Sequence, residues 1–391
     1  MSDKDIAGTC GVIPTPCYVV YESRLRGNLD TITDVARRAG VEIIMAFKAN
    51  ALWRTFDIFR EYGVKCTASS LNEMMLGNEE LGCRVHSYCP AYTPATIVPY
   101  LEGSSHITFN SLSQWAQFKD TVEEYNRRNP ERRVSPGLRV NPQCSVIETD
   151  IYNPALPGSR FGVTADMLKE GLPEGIEGLH FHQLCESTSY DLEQVLKAFE
   201  EQFGHLIDRV KWVNMGGGHL MTKEGYDCEH LIALLKQFRE KHQGVGVILE
   251  PGSAFTWRTG DLLVSVVATV TNQGVNTAII DASFACHMPD TLEMPYQPIV
   301  SESCDENTPG ASPWRLGGNS CLSGDYKGDW WFQAPLVAGQ RLTLEDMNHY
   351  TTVKTTMFNG IQHPSIALVD LDGNWKYLRR YSYEDYKSRM S

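Results

Sequence analysis

E-I-I-M-A-F-K-A-N, residues 42–50, is a short apolar run that breaks off in a lysine and an asparagine. A run of this length bounded by polar residues reads as a buried strand. Seven more follow: V-K-C-T-A-S (64–69), V-H-S-Y-C (85–89), H-I-T-F-N (106–110), P-G-L-R-V-N (136–141), G-L-H-F-H-Q-L (178–184), V-K-W-V-N-M (210–215) and V-G-V-I-L-E (245–250). Segments of helical periodicity lie between them, among them Ser70–Leu81, Ser111–Arg128, Asp191–Arg209 and Asp227–His242. Eight strand–helix units in roughly 215 residues predict an α/β fold, a parallel (β/α)8 TIM-like barrel rather than an open doubly wound sheet.

Past residue 257 the pattern changes to β-rich runs separated by Gly, Pro, Asn and Asp, including 261–270, 277–282 and 365–370. These predict a C-terminal β-domain, a sandwich or barrel, and P-C-Y-V-V-Y (16–21) reads as an N-terminal strand that joins it. The expected division is an N-terminal segment at 1–22, a barrel at 23–256 and the β-domain at 257–391. Residues 301–313 read as an exposed loop.

The bulk numbers exclude more than they specify. A chain of 391 residues with 42% hydrophobic and 21% charged residues is long enough for two packed cores. It has no apolar run long enough for a membrane span, and M-S-D-K-D-I-A-G lacks the apolar core of a secretory signal, so a cytoplasmic location is expected. Eleven cysteines without C-x-x-C pairs or metal-ligand spacing predict neither a disulfide framework nor a metal site. A net charge of −13 disfavours nucleic acid and anionic membranes as partners.

In a (β/α)8 barrel, chemistry collects where the strands end. Lys48 follows the first strand, where a buried amine is costly unless it is paired or used covalently; the alternative is a lysine that reaches out to solvent. His180 and His182 share one face of the sixth strand, either as catalysts or as hydrogen-bonded core residues. Gly216, Gly217 and Gly218 follow the seventh, where bare amides can wrap a phosphate or simply make a tight turn. Glu250 ends the eighth, suited to a protonated heterocyclic nitrogen or to a salt bridge with Arg139. A lysine amine, a phosphate cradle and a carboxylate for a ring nitrogen are three requirements of pyridoxal 5'-phosphate.

These residues resemble the fold type III, alanine-racemase-like group of pyridoxal phosphate enzymes, and within it the basic amino-acid decarboxylases. The likeness covers nearly the whole chain. A-F-K-A-N is similar to that group's lysine motif, His182 to the histidine that stacks on the cofactor ring, Gly216–Gly218 to the phosphate loop and Glu250 to the ring-nitrogen partner. G-N-S-C-L-S-G-D (318–325) resembles the decarboxylase Cys-x-x-x-Asp loop, and Y-T-T-V-K-T-T-M-F-N-G (350–360) the segment whose tyrosine, here Tyr350, binds phosphate. T-A-S-S-L-N-E, F-N-S-L-S-Q-W, G-S-R-F-G-V, H-F-H-Q-L-C-E, W-V-N-M-G-G-G-H and C-H-M-P-D-T-L-E-M-P-Y resemble the carboxynorspermidine decarboxylases more narrowly.

The resemblance implies a homodimer in which the Cys321 loop completes the partner's site, with Lys48 and Cys321 catalytic and Arg139 among the cofactor contacts. It implies decarboxylation of carboxynorspermidine or carboxyspermidine, whose ammonium groups need acidic partners: Asp325, four residues after Cys321 in the family motif, is the first candidate, with Asp281, Glu186 and Asp290 as others, Asp281 reading equally as a turn aspartate. Cys66 and Leu322 stand where ornithine decarboxylases carry aspartates, and Ser253 follows Glu-Pro-Gly where relatives have arginine or glutamate. The alternatives are a decarboxylase of diaminopimelate, ornithine or arginine, a racemase, and a non-catalytic regulatory relative.

Overall fold

The computed structural model describes residues 11–147 and 149–391, so the first ten residues of the expected N-terminal segment lie outside the described residues. The chain divides into two compact units, Asn28–Phe255 and the segments on either side of it.

Within Asn28–Phe255 the strands are parallel and run in chain order around one sheet: Glu42–Ile43 and Met45–Ala46, then Cys66–Ala68, Val85–Tyr88, Ser104–Phe109, Ser135–Arg139, Gly178–His180, Trp212–Asn214 and Gly246–Leu249. The first two pieces are halves of one strand. At Ile44 the backbone changes neighbours: its amide donates to Leu249 of the last strand at 2.9 Å, and the Met45 amide donates to Lys65 beside the second strand at 2.9 Å. The sheet therefore closes on itself as eight staves, as the apolar runs predicted.

The helices begin where their capping side chains stand. Ser70 caps Leu71–Leu76, Ser111 caps Leu112–Arg128, Thr188 forms a capping box with Asp191 ahead of Ser189–Ile207, and Asp227 caps Cys228–Lys241. One expectation is modified. The segment read as a single helix over 70–81 changes at Gly77 into a wider π-helical turn, Gly77–Leu81, and Gly77 there packs against Cys66, Val85 and Phe47. The run 178–184 is also shorter as a strand than it reads. Only Gly178–His180 pairs regularly before the chain peels away toward the mouth.

Two glycines shape the barrel wall. A Cβ at Gly137 or Gly178 would overlap the indole of Trp212, which is 5% exposed, so these two staves lie against the flat ring.

The second unit is one branched, mostly antiparallel sheet of eight strands. Its order is Tyr326–Phe332, Ser312–Gly317, Val275–Ile280, Gly260–Asn272, Cys17–Tyr21, Ser365–Val369 and Trp375–Arg379, and Arg341–Leu344 branches off Gly260–Asn272. The expected N-terminal strand is there: Cys17–Tyr21 lies antiparallel to Gly260–Asn272 and parallel to Ser365–Val369. Residues 301–313 are mostly turn, but Cys304 bridges to Trp331 and Ser312 opens a strand. Cys17, Val19, Ala367 and Trp375 form one buried cluster of this sheet.

The wall packing predicts opposite signs at two glycines. Gly178→Ala should destabilise the protein by about 1–3 kcal/mol through overpacking on Trp212. Gly204→Ala, inside helix Ser189–Ile207 with open space where its Cβ would go, should stabilise it by about 0.5–1 kcal/mol. Urea denaturation of the two variants measures both.

Candidate active site

The mouth of the barrel gathers Lys48, His182, Glu250, Arg139 and the glycine loop, as the strand ends predicted. Lys48 follows Phe47, which is fully buried; part of the lysine is exposed, but its amine is crowded by protein. Burial, reinforced by the positive charge of Arg139, holds the amine below its usual pKa, with Glu250, Cys185 and Glu73 pulling the other way.

His182 faces that amine, with its Nε2 3.4 Å from Lys48 Nζ. Its Nδ1 accepts the Gly217 amide at 3.1 Å. A backbone N–H can only donate, so Nδ1 carries the lone pair and the neutral ring has its proton on Nε2. Burial keeps His182 neutral, its pKa far below the ordinary value. The Nε2 proton thus points at Lys48, whose nitrogen can accept it only when uncharged.

Glu250 is 5% exposed. Its Oε1 accepts from Asn214 Nδ2 at 2.7 Å, and the Thr67 hydroxyl also bonds the carboxylate. Its Oε2 stands 3.6 Å from Nε2 of the buried His180. Burial raises the Glu250 pKa, opposed by Asn214, Thr67, Lys48 and Arg139. The salt bridge to Arg139 weighed from the sequence does not form. Arg139 donates instead to Tyr88 Oη at 2.6 Å and to the His182 carbonyl at 3.3 Å, and its guanidinium lies over the Tyr88 and Phe161 rings.

The glycine loop is tighter than its sequence suggests. Side chains at Gly216, Gly217 or Gly218 would strike the backbone of Phe181–Leu184 or of Glu250, and Gly216 and Gly218 have φ of 70° and 92°. The Gly216 amide already donates to Asn214 Oδ1 at 2.9 Å, and that of Gly217 to His182. Two of the three glycine amides are therefore already engaged, so the loop does not offer three free ones. Gly252, after Glu-Pro, is pressed against Ala49 next to Lys48, and Ser253 is 9% exposed. Glu186, at φ 47°, is exposed on the loop beyond His182.

In the sheet unit, Cys321 is exposed and its amide donates to Asn359 Oδ1 at 2.8 Å. Asp325 is buried: Oδ1 takes the Ala285 amide at 3.0 Å and Oδ2 the Ser320 amide at 3.1 Å, so its carboxylate shapes the Cys321 loop. Asp281 accepts the Ser265 amide at 2.8 Å across the sheet, and Asp290 is paired with Lys354 at 2.6 Å. All three aspartates thus have protein partners. Tyr350 sits at φ 53° with its ring 6.2 Å from that of His349.

Sequence reasoning passed over Asn214, Thr67, Tyr88 and Glu73. Their signal was a polar residue inside an apolar strand for the first three. Glu73, half-buried, accepts the Ser69 amide at 2.6 Å at the start of the helix after the second strand, and Lys48 acts on its charge.

The residues at this mouth suit a pyridine-based cofactor on grounds internal to the chain. Asn214 holds only Oε1 of Glu250 and Oε2 stands 3.6 Å from the His180 nitrogen, an amine of lowered pKa stands in the same mouth, and a flat imidazole is fixed 3.4 Å from that amine. Barrel, sheet and lysine together define the fold type III pyridoxal-dependent enzymes. The family described as "Pyridoxal-dependent decarboxylase, C-terminal sheet domain" matches residues 18–348, and this chain belongs to it. It is an amino-acid decarboxylase.

Particular relatives narrow the comparison. The carboxyaminopropylagmatine decarboxylase of Synechocystis sp. is 43% identical over 97% of this chain and 96% of its own. The carboxynorspermidine/carboxyspermidine decarboxylase of Campylobacter jejuni is 39% identical over 96% and 98%. The crystal structure of carboxynorspermidine decarboxylase from Campylobacter jejuni, complexed with norspermidine, matches with a TM-score of 0.88 at 38% identity, covering 96% of this chain and all of that one. Diaminopimelate decarboxylase from M. jannaschii, at a TM-score of 0.79 and 17% identity, shares the fold. Among the described residues, no helix is long and apolar enough to cross a membrane.

In the cofactor-free protein Lys48 should acylate at lower pH than exposed lysines, because burial and Arg139 favour its neutral form. Arg139→Gln removes a positive neighbour and should move that onset to higher pH. Peptide mass mapping after amine labelling across a pH series checks both.

Proposed function

We propose that this protein decarboxylates a carboxylated polyamine, carboxynorspermidine or carboxyspermidine, to norspermidine or spermidine, as a cytoplasmic homodimer that binds pyridoxal 5'-phosphate at Lys48. The observation that carries the reading is the near full-length likeness, at 38% identity, to an enzyme solved with norspermidine.

Bound pyridoxal phosphate supplies an electron sink for the pair left on the substrate's α-carbon when CO2 departs. The chain's own groups do the rest. Lys48 would hold the cofactor through its amine, and its Nζ, favoured in the neutral form by burial, can take or give a proton. Glu250 keeps a carboxylate oxygen, Oε2, for the proton on the ring nitrogen. His182, anchored by Gly217, would hold the cofactor ring by stacking. The glycine loop would hold the phosphate, a role the resemblance also gives Tyr350, and Arg139 braces the wall through Tyr88 and the His182 carbonyl.

Cys321, presented on an exposed loop of the partner subunit, delivers a proton to the α-carbon, so the product is an amine. Substrate ammonium groups meet carboxylates at that loop and at Glu186. Since Asp325, Asp281 and Asp290 are engaged with protein groups, Asp325 acts on substrate mainly by shaping the loop.

A second reading has its own support: the 43% identity to a carboxyaminopropylagmatine decarboxylase favours a substrate ending in a guanidinium group. Measuring CO2 release from carboxynorspermidine, carboxyspermidine, carboxyaminopropylagmatine, diaminopimelate, ornithine and arginine decides between them. Turnover of the first two should exceed that of the others; faster turnover of the guanidinium substrate, or of diaminopimelate or ornithine, would refute the preferred assignment.

Lys48→Ala should abolish turnover and leave no cofactor fixed to the chain after borohydride reduction, as read by intact mass. Cys321→Ala should retain the cofactor and lose about 10²–10⁴-fold in amine formation, with part of the product misprotonated. Product analysis by mass spectrometry checks this, and normal amine formation would remove Cys321 as the donor.

A further inference from the structure

Asn214 ends the strand Trp212–Asn214 with 2% exposure, and no role described above uses it. Its carboxamide makes two hydrogen bonds. Oδ1 accepts the Gly216 amide at 2.9 Å, and Nδ2 donates to Glu250 Oε1 at 2.7 Å. The Gly216 N–H can only donate, which fixes the orientation of the amide: oxygen toward the loop, NH2 toward Glu250. The Glu250 amide in turn donates to the Gly216 carbonyl at 2.7 Å. Strand seven, the glycine loop and strand eight are thereby tied into one small ring of hydrogen bonds.

We propose that Asn214 is a positioning residue for the decarboxylase: its carboxamide holds Glu250 Oε1 as an acceptor, leaves Oε2 for the cofactor's ring nitrogen, and locks that carboxylate to the glycine loop. The proposal rests on the reading of Glu250 as the ring-nitrogen partner. The residue type matters because the two ends of the amide do different work. An aspartate at 214 could still accept from Gly216, but it could not donate to Glu250, and two carboxylates at hydrogen-bond distance share a proton and titrate as a pair. An amide puts a neutral donor there. Glu250 can then remain ionised although burial raises its pKa, because Asn214 and Thr67 both stabilise the charged form.

The test compares Asn214→Asp, Asn214→Ala and Glu250→Gln as holoenzymes, reading melting temperature, cofactor dissociation constant, and kcat and KM across pH. Asn214→Asp retains the Gly216 bond, so it should melt near wild type. Its kcat should fall about ten- to a hundredfold, the loss of one charge-assisted hydrogen bond, with KM changed less than about twofold. Its kcat profile should also gain an ionisation that the wild type lacks, belonging to the shared proton. Asn214→Ala should lose a similar factor in kcat without that ionisation, and bind the cofactor about tenfold more weakly because the loop is released.

Wild-type kcat and pH profile in Asn214→Asp would overturn the proposal. So would losses in both variants that track melting temperature alone with an unaltered profile. Should Asn214→Asp fail to fold, Asn214→Ser, too short to reach Glu250, takes its place: a kcat loss at unchanged KM supports the proposal and a wild-type kcat overturns it. Glu250→Gln separates the two readings. If it keeps wild-type kcat, the assignment of Glu250 fails and this proposal with it; if it is impaired while the Asn214 variants are not, only the role of Asn214 falls.

Discussion

A carboxylate buried in the wall of the barrel is the constraint around which this mouth is organised. Glu250 has almost no contact with water, and an ionised carboxylate in that position is tolerated only when donors surround it. Asn214 on the seventh stave and Thr67 on the second meet that need. Both donors act on the charged form, so the group can stay an anion without a full ion pair. An arginine in contact would neutralise Glu250 and leave it nothing to offer a ring nitrogen, and Arg139 is instead drawn off by Tyr88 and by the His182 carbonyl.

The same hydrogen bonds explain why the glycine loop is shaped as it is. Gly216 and Gly217 are glycines because the chain passes against Phe181, His182 and Glu250 with no room for a side chain, and their amides fix Asn214 and His182. Bond by bond, the loop sets the orientation of the imidazole, the imidazole sets the tautomer that faces Lys48, and Asn214 sets the face of Glu250. Lys48 is placed among these groups by the closure of the barrel, since the strand that carries it is the one that pairs with both its last and its second stave. Its lowered pKa follows from crowding and from a cation in the same wall. The lysine's chemistry is a property of its surroundings more than of its motif.

The sheet unit handles its carboxylates differently. Asp325 is turned inward to collect two backbone amides, and Gly318 is a glycine because that side chain occupies the space where its Cβ would be. The outcome is a loop whose cysteine is exposed while its aspartate is structural. Such a division suits a loop that must present one reactive atom on a defined backbone.

Much of the architecture was legible in order along the chain. Eight apolar runs of strand length, four of them followed by a capping residue and a helical period, sufficed for the barrel, because burial and hydrogen-bond closure act on local patterns. Ser70, Ser111 and Asp227 marked the helix starts because a side-chain acceptor at the N-cap is a local requirement. Lys48, His182 and Glu250 could be placed at strand ends by the same logic. Partnerships between distant residues could not. Asn214 and Glu250 are separated by 36 positions, and Asp290 and Lys354 by 64. Strand polarity marks such residues as polar and inward but does not say which lone pair meets which proton. Linear order thus determined the staves, the caps and the kinds of group at the mouth. The choice of partner for each amide, carboxylate and guanidinium was left to the folded chain, because hydrogen bonds select on ångström geometry that exists only once the barrel has closed.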